Sequence, residues 1–132
     1  MGSSPLKRIL VVEDEKDIAD IIALTLNKKG YQAEVAYDGE EALGKLNSAR
    51  YDLLILDLML PKMDGRILGK KIQSGQSPSA GIPVIVMTAH AKLKELLESK
   101  QEFNVSAYLE KPFPISTLTE KIKEVIGTAD LS

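Results

Sequence analysis

Leu53-Leu54-Ile55-Leu56-Asp57 is a run of four branched apolar residues closed by a carboxylate, and its reading decides the fold. A half-solvated strand alternates apolar and polar residues, whereas a strand covered on both faces is apolar throughout. A run this short, bounded by polar residues, predicts a buried strand rather than a helix. Ile9-Leu10-Val11-Val12 and Val84-Ile85-Val86-Met87 have the same character. Ala33-Glu34-Val35-Ala36 and Ala107-Tyr108-Leu109 are shorter or more polar, which places them at or near the sheet edges.

Helical patterns fill the intervals. Ile18, Ile21, Ile22 and Leu26 recur at helical spacing, and Gly30 after Lys28-Lys29 is a stop signal. Asp38 is placed to cap a helix carrying Ala42, Leu43 and Leu46. The stretch after Gly65 is weakly patterned and runs into a Ser-, Gly- and Pro-rich loop from Ser74 to Gly81. Lys92 to Lys100 reads as a polar helix with Leu93, Leu96 and Leu97 on one face. The last helix carries Ile115, Leu118, Ile122, Val125 and Ile126 as one stripe between Pro114 and Gly127. Strand–helix alternation of this kind predicts an α/β domain with a parallel sheet. Right-handed crossovers then favour a flavodoxin-like (βα)5 doubly wound open parallel sheet, strand order 2-1-3-4-5. The domain is expected over 7–127, with 1–6 a disordered N-terminus or expression scar and 128–132 a C-terminal tail.

The 132 residues suit one domain with a real core. Lys+Arg 17 against Asp+Glu 19 gives a net charge of -2, so no basic footprint for nucleic acid is present. With Cys 0, disulfides and thiolate metal sites are excluded and a reducing, cytoplasmic location is expected. Met1-Gly2-Ser3-Ser4-Pro5 has no signal-peptide pattern. The apolar runs are far too short to cross a bilayer.

In an open parallel sheet, ligands bind beyond the carboxyl ends of the strands, at the switch point between strands one and three. The strands lead there into Glu13-Asp14-Glu15, Asp57, Thr88 and Glu110-Lys111-Pro112. Clustered carboxylates repel one another unless a cation intervenes. With oxygen ligands and no cysteine, a hard cation such as Mg²⁺ fits best. A cation beside an ammonium and a hydroxyl makes a receptacle for a phosphoryl group. Each residue also has an ordinary reading. Asp14 or Glu15 could belong to the first turn of the next helix, Asp57 could be a turn residue ahead of Pro61 and Gly65, and Thr88 and Lys111 could be a buried hydroxyl and a surface cation. Four such residues at the ends of four strands favour a site.

Val11-Val12-Glu13-Asp14-Glu15, Asp57-Leu58-Met59-Leu60-Pro61-Lys62-Met63-Asp64-Gly65, Val86-Met87-Thr88-Ala89 and Tyr108-Leu109-Glu110-Lys111-Pro112-Phe113 resemble the receiver (CheY-like) domains of bacterial two-component response regulators. The resemblance runs from about Lys7 to about Gly127. It implies Asp57 as phosphoacceptor, with Glu13, Asp14, Asp57 and the Met59 backbone carbonyl around Mg²⁺, or Mn²⁺ in its stead. It implies Thr88 and Lys111 as the groups holding phosphoryl oxygens, a cis Lys111-Pro112 peptide, and Thr88 with Tyr108 as a switch pair. The less favoured alternative for Tyr108 is a half-buried strand aromatic. The implied donor is a sensor histidine kinase or phosphotransfer protein, and the domain is a regulator, not an enzyme beyond its own phosphorylation and dephosphorylation. The face made by the helix before strand five, strand five and the last helix is the implied output surface. Through it a phosphorylation-dependent homodimer could form, without direct contact to nucleic acid or membrane.

Three features depart from the commonest family pattern. Met59 offers no polar side chain to guide a hydrolytic water, which predicts a long-lived phosphoryl state. His90, the one histidine, either tunes dephosphorylation or is a solvated loop side chain, the latter being favoured. Gln101-Glu102-Phe103-Asn104-Val105-Ser106 replaces the Gly-Ala turn usual before strand five. Among rivals, a haloacid-dehalogenase-type phosphatase needs a second Asp where Met59 stands. A phosphorylation-silent binding module is disfavoured by the complete residue set. A flavin site lacks its phosphate-cradling loop after strand one.

Overall fold

The computed structural model describes residues 6–60, 63–75, 78–89, 95 and 104–127. The chain order is β1 (Arg8–Val12), α1 (Lys16–Lys28), β2 (Gln32–Ala36), α2 (Gly39–Ser48), β3 (Leu53–Asp57), α3 (Gly65–Ser74), β4 (Val84–Thr88), β5 (Ala107–Glu110) and α4 (Ile115–Ile126). The five strands form one parallel sheet in the order β2-β1-β3-β4-β5, the expected doubly wound arrangement. The polar strands β2 and β5 are indeed its edges. The readings of Pro61, of His90, of the Lys92 to Lys100 helix apart from Glu95, of Gln101-Glu102-Phe103 and of both tails fall outside the described residues.

The apolar runs divide residue by residue between two cores, because successive strand side chains point to opposite faces. Leu10, Val12, Leu54, Leu56, Val84 and Val86 face α2 and α3, where Ala42, Leu46, Leu68 and Ile72 meet them. Ile9, Val11, Leu53, Ile55, Ile85 and Met87 face α1 and α4, meeting Ile22, Leu26, Leu118 and Ile122. Burying each large aliphatic contributes on the order of 1.5–3 kcal/mol before entropy is subtracted. Two layers of helices therefore hold the strand ends in fixed register, which is what positions the site.

The helices begin and end largely as their sequences dictate. Asp38 accepts a hydrogen bond from the Glu41 N–H and Asp64 one from the Arg66 N–H, so each caps its helix. Gly30 follows α1 with φ 99° and Gly127 follows α4 with φ 81°, the left-handed geometry that glycine adopts without a Cβ penalty. The end of α4 is tied down further: Tyr31 Oη donates to the Gly127 carbonyl at 2.9 Å, and the Lys7 ammonium donates to that of Ile126.

Two details differ from the sequence reading. Every strand runs one residue longer than its apolar core at one end or the other, so Asp57 and Thr88 are the last residues of β3 and β4. Ladder hydrogen bonding continues past the point where hydropathy stops, as in the Leu58 N–H donating to the Met87 carbonyl at 3.3 Å. Along α1, Ile21 is 58% exposed although it belongs to the helical stripe. Ala19, Ile22 and Leu26 make the buried face instead.

Gly44 lies exposed inside α2, and a Cβ there would meet nothing within 4 Å. Gly44→Ala should therefore raise the unfolding free energy by about 0.5–1 kcal/mol through helix propensity, read as a higher urea midpoint with an unchanged slope.

Candidate functional site

β1, β3, β4 and β5 all point their carboxyl ends to one edge of the sheet, and the polar residues expected there do meet. Glu13 follows β1 directly. Its N–H donates to the Ala36 carbonyl at 3.1 Å, which continues the β1–β2 ladder and turns its side chain inward. Asp57 ends β3, Thr88 ends β4, and Lys111 follows β5, where its N–H donates to the Thr88 carbonyl at 2.9 Å. Glu13, Asp57 and Thr88 are buried, at 0%, 5% and 1% exposure. Buried charge of this kind demands a partner.

The partner is Lys111. Its ammonium donates to Asp57 Oδ2 at 2.8 Å and to Glu13 Oε1, bridging two carboxylates from strands that neighbour one another in the sheet. Asp57 Oδ1 accepts the Met59 N–H at 2.9 Å, so that oxygen is fixed by its own turn. Glu13 Oε2 accepts the Glu15 N–H at 3.3 Å. Asp14 is exposed, yet one carboxylate oxygen from each of Glu13, Asp14 and Asp57 lies within 4.8 Å of the others. The Lys111-Pro112 peptide is cis. Tyr108 is partly buried on β5 against the α2/α3 core, and Met59 is 54% exposed beside Asp57.

The acidic run after β1 is not explained by helix capping. Glu15 occupies the N-cap position of α1 but its side chain makes no capping hydrogen bond, and the Glu13 carboxylate turns to Lys111 instead. The donor set is all oxygen, which suits a hard, oxygen-loving divalent cation. Burial pushes the Glu13 carboxyl up to about 7; the Lys111 hydrogen bond opposes this and the neighbouring Asp57 carboxylate reinforces it. For Lys111, burial disfavours the ammonium, but the hydrogen bonds to Asp57 and Glu13 outweigh it and hold the group above the usual lysine range.

Beside Lys111 opens a groove of about 500 Å³, walled by Ile18, Ile21, Ile22, Phe113 and Ile115. Sequence reading missed it. The one available signal was Ile21, an extra apolar residue that widens the stripe of α1 beyond its buried face.

A doubly wound parallel sheet with a carboxylate-and-lysine site at its switch edge defines a flavodoxin-like binding or switching domain. Residues 9–123 match the response regulator receiver domain model, and the chain belongs to that family. The response regulator ArlR of Staphylococcus aureus is 35% identical over 121 residues, covering 92% of this chain and 53% of ArlR. The chain thus spans about half the length of the curated relatives it matches. A CheY-like receiver domain protein from Methanospirillum hungatei superposes with a TM-score of 0.81 at 35% identity, over 91% of this chain and 93% of that one. The receiver domain of a Pseudomonas aeruginosa sensor histidine kinase, solved with a magnesium ion in its active-site cleft, gives 0.80 at 28% identity, over 94% of this chain and 100% of that one.

The Glu13 position makes stability pH-dependent. A glutamate in the unfolded chain titrates near 4.3, so between there and about 7 the folded protein holds a proton that the unfolded chain has lost. This group's contribution to stability therefore falls as pH rises through that window. In metal-free protein, Glu13→Gln should flatten the decline in urea midpoint between about pH 4 and about pH 7. A decline of undiminished slope would clear Glu13 of responsibility.

Proposed function

We propose that the domain is a phosphoacceptor switch of a two-component phosphorelay, in which Asp57 takes a phosphoryl group from a phosphohistidine on a sensor histidine kinase or phosphotransfer protein. The observation that carries this reading is the Lys111 ammonium bridging Asp57 and Glu13 at the strand ends, with Asp14 alongside.

In this reading an Asp57 carboxylate oxygen attacks phosphorus, the phosphorus–nitrogen bond breaks, and its electron pair returns to the imidazole nitrogen. The product is an acyl phosphate, which water later cleaves to restore the carboxylate. Transfer passes through a loose, highly charged transition state, so the protein's work is alignment and charge stabilisation. The Glu13, Asp14 and Asp57 carboxylates with the Met59 backbone carbonyl would hold Mg²⁺, or Mn²⁺ in its place. When bound, the ion offsets the negative charge gathering on the phosphoryl oxygens. Lys111 supplies a second positive charge, and the Thr88 hydroxyl a hydrogen bond. The Met59 N–H on Asp57 Oδ1 keeps the nucleophile in one orientation.

Phosphorylation puts close to two negative charges on the phosphoryl oxygens where the Asp57 carboxylate carried one, and Thr88 and Tyr108 form the pair that responds to them. The surface around β5 and α4 then changes and meets an output partner or a second copy. The functional unit is 7–127, acting as a cytoplasmic regulator without turnover of a separate substrate.

Intact mass before and after incubation with acetyl phosphate and Mg²⁺ should gain one phosphoryl group in the wild type and none in Asp57→Asn. A gain that survives Asp57→Asn would refute the acceptor. Lys111→Ala should slow phosphorylation by about 10²-fold or more, the usual effect of removing one preorganised electrostatic donor. Met59→Asn should shorten the lifetime of the phosphoryl group, followed by mass against time; an equal or longer lifetime would dismiss the role assigned to Met59.

A further inference from the structure

The two helices flanking the acceptor segment open with the same dipeptide, Asp38-Gly39 in α2 and Asp64-Gly65 in α3. In both, the aspartate is the cap and the glycine is the first helical residue. That position does not call for glycine, since it needs ordinary helical dihedrals and is often proline. Neither glycine has a positive φ; that geometry belongs to Gly30, Gly81 and Gly127. A glycine without a conformational reason loses backbone entropy for nothing unless its missing Cβ matters.

It does matter. A Cβ on Gly65 would lie 2.8 Å from the Asp57 carbonyl oxygen and 2.8 Å from Leu58 Cα. A Cβ on Gly39 would lie 2.5 Å from Met63 Cβ and 3.2 Å from the Met63 carbonyl oxygen. Neither obstacle is the loose end of a side chain. The backbone that leaves β3 is thus gripped twice: α3 lies against Asp57 and Leu58, where the Gly65 N–H donates to the Leu58 carbonyl at 3.1 Å, and α2 lies against Met63. Between these grips is Met59, whose carbonyl is assigned to the cation. Gly39 belongs to another helix, more than a dozen residues earlier in sequence, so its contact is a tertiary constraint on the acceptor segment.

We infer that Gly39 is a positioning residue for the cation site: its bare backbone lets α2 close against Met63 and so sets where the Asp57–Met59 segment presents its oxygens. This rests on the phosphoacceptor reading. Gly44, in the same helix with nothing within 4 Å of its would-be Cβ, is the built-in control. A residue that only supported the helix would affect stability alone, whereas a positioning residue alters ion affinity in protein that is still folded.

The test is Mg²⁺ titration of the full chain, followed through amide chemical shifts, with urea unfolding in parallel. Gly39→Ala should weaken Mg²⁺ binding roughly tenfold or more, the scale seen when groups supporting a metal's ligands are disturbed, while Gly44→Ala binds as the wild type does. Met63→Gly removes the atom that the new Cβ would strike. The double variant Gly39→Ala/Met63→Gly should therefore regain most of the affinity of Met63→Gly alone, and should fold even where Gly39→Ala does not. Wild-type affinity in folded Gly39→Ala, an equal loss in Gly44→Ala, or a double variant that recovers neither folding nor affinity would each overturn the inference. Absence of Mg²⁺ binding by the wild type would instead overturn the phosphoacceptor reading on which it rests.

Discussion

One ammonium group holds this structure's chemistry in place. Glu13 and Asp57 sit at the ends of adjacent strands with almost no solvent contact, and two carboxylates so placed repel each other in a medium that screens poorly. Lys111 enters from the other side of the sheet edge and donates to both. The arrangement is one positive charge for two potential negative ones, so the site is under-neutralised whenever both carboxyls are ionised. Glu13 answers by holding its proton up to about 7. A divalent cation answers the same deficit more fully, without the proton.

That imbalance follows from the sheet. Parallel strands deliver all their carboxyl ends to one edge, so residues more than ninety positions apart in sequence share a site without any loop reaching far. The opposite edge carries a different arrangement of charge. There Arg8 pairs with Glu34 at 2.6 Å, Tyr51 Oη donates to the same carboxylate at 3.0 Å, and the Arg8 guanidinium lies 4.7 Å from the centre of the Tyr51 ring. The Glu34 carboxylate also lies 3.8 Å from the Lys45 ammonium, and the buried Arg8 Nε is left without a hydrogen-bond partner.

The strands and their order could be read from the chain because unbroken apolar runs such as Ile9–Val12 and Leu53–Leu56 have one economical use, a sheet covered on both faces. The strand-end residues were legible for the same reason, since topology alone sends Glu13, Asp57, Thr88 and Lys111 to one place. What was not legible depends on atoms meeting across elements. No local pattern says that Glu15 would leave α1 uncapped by its side chain, or that Ile21 would stay at the surface beside Phe113. Nothing in the sequence around Asp38 singles out Gly39; its contact with Met63 exists only once α2 and the segment after β3 are packed together. Side-chain spacing is a local property, whereas a clash is a global one.

The clasp at the end of α4 has a mechanical meaning. Tyr31 and Lys7 grip the carbonyls of Gly127 and Ile126, and Tyr31 is itself seated beside β2 with 4% of its surface exposed. Tension applied at Gly127 therefore meets these two hydrogen bonds before it reaches the turns of α4. The segment from Lys111 to Ile115, which joins the lysine to that helix, lies behind this anchor and is shielded from the pull. The carboxylate-and-lysine end of the domain can in this way stay quiet while the far end of α4 bears a load.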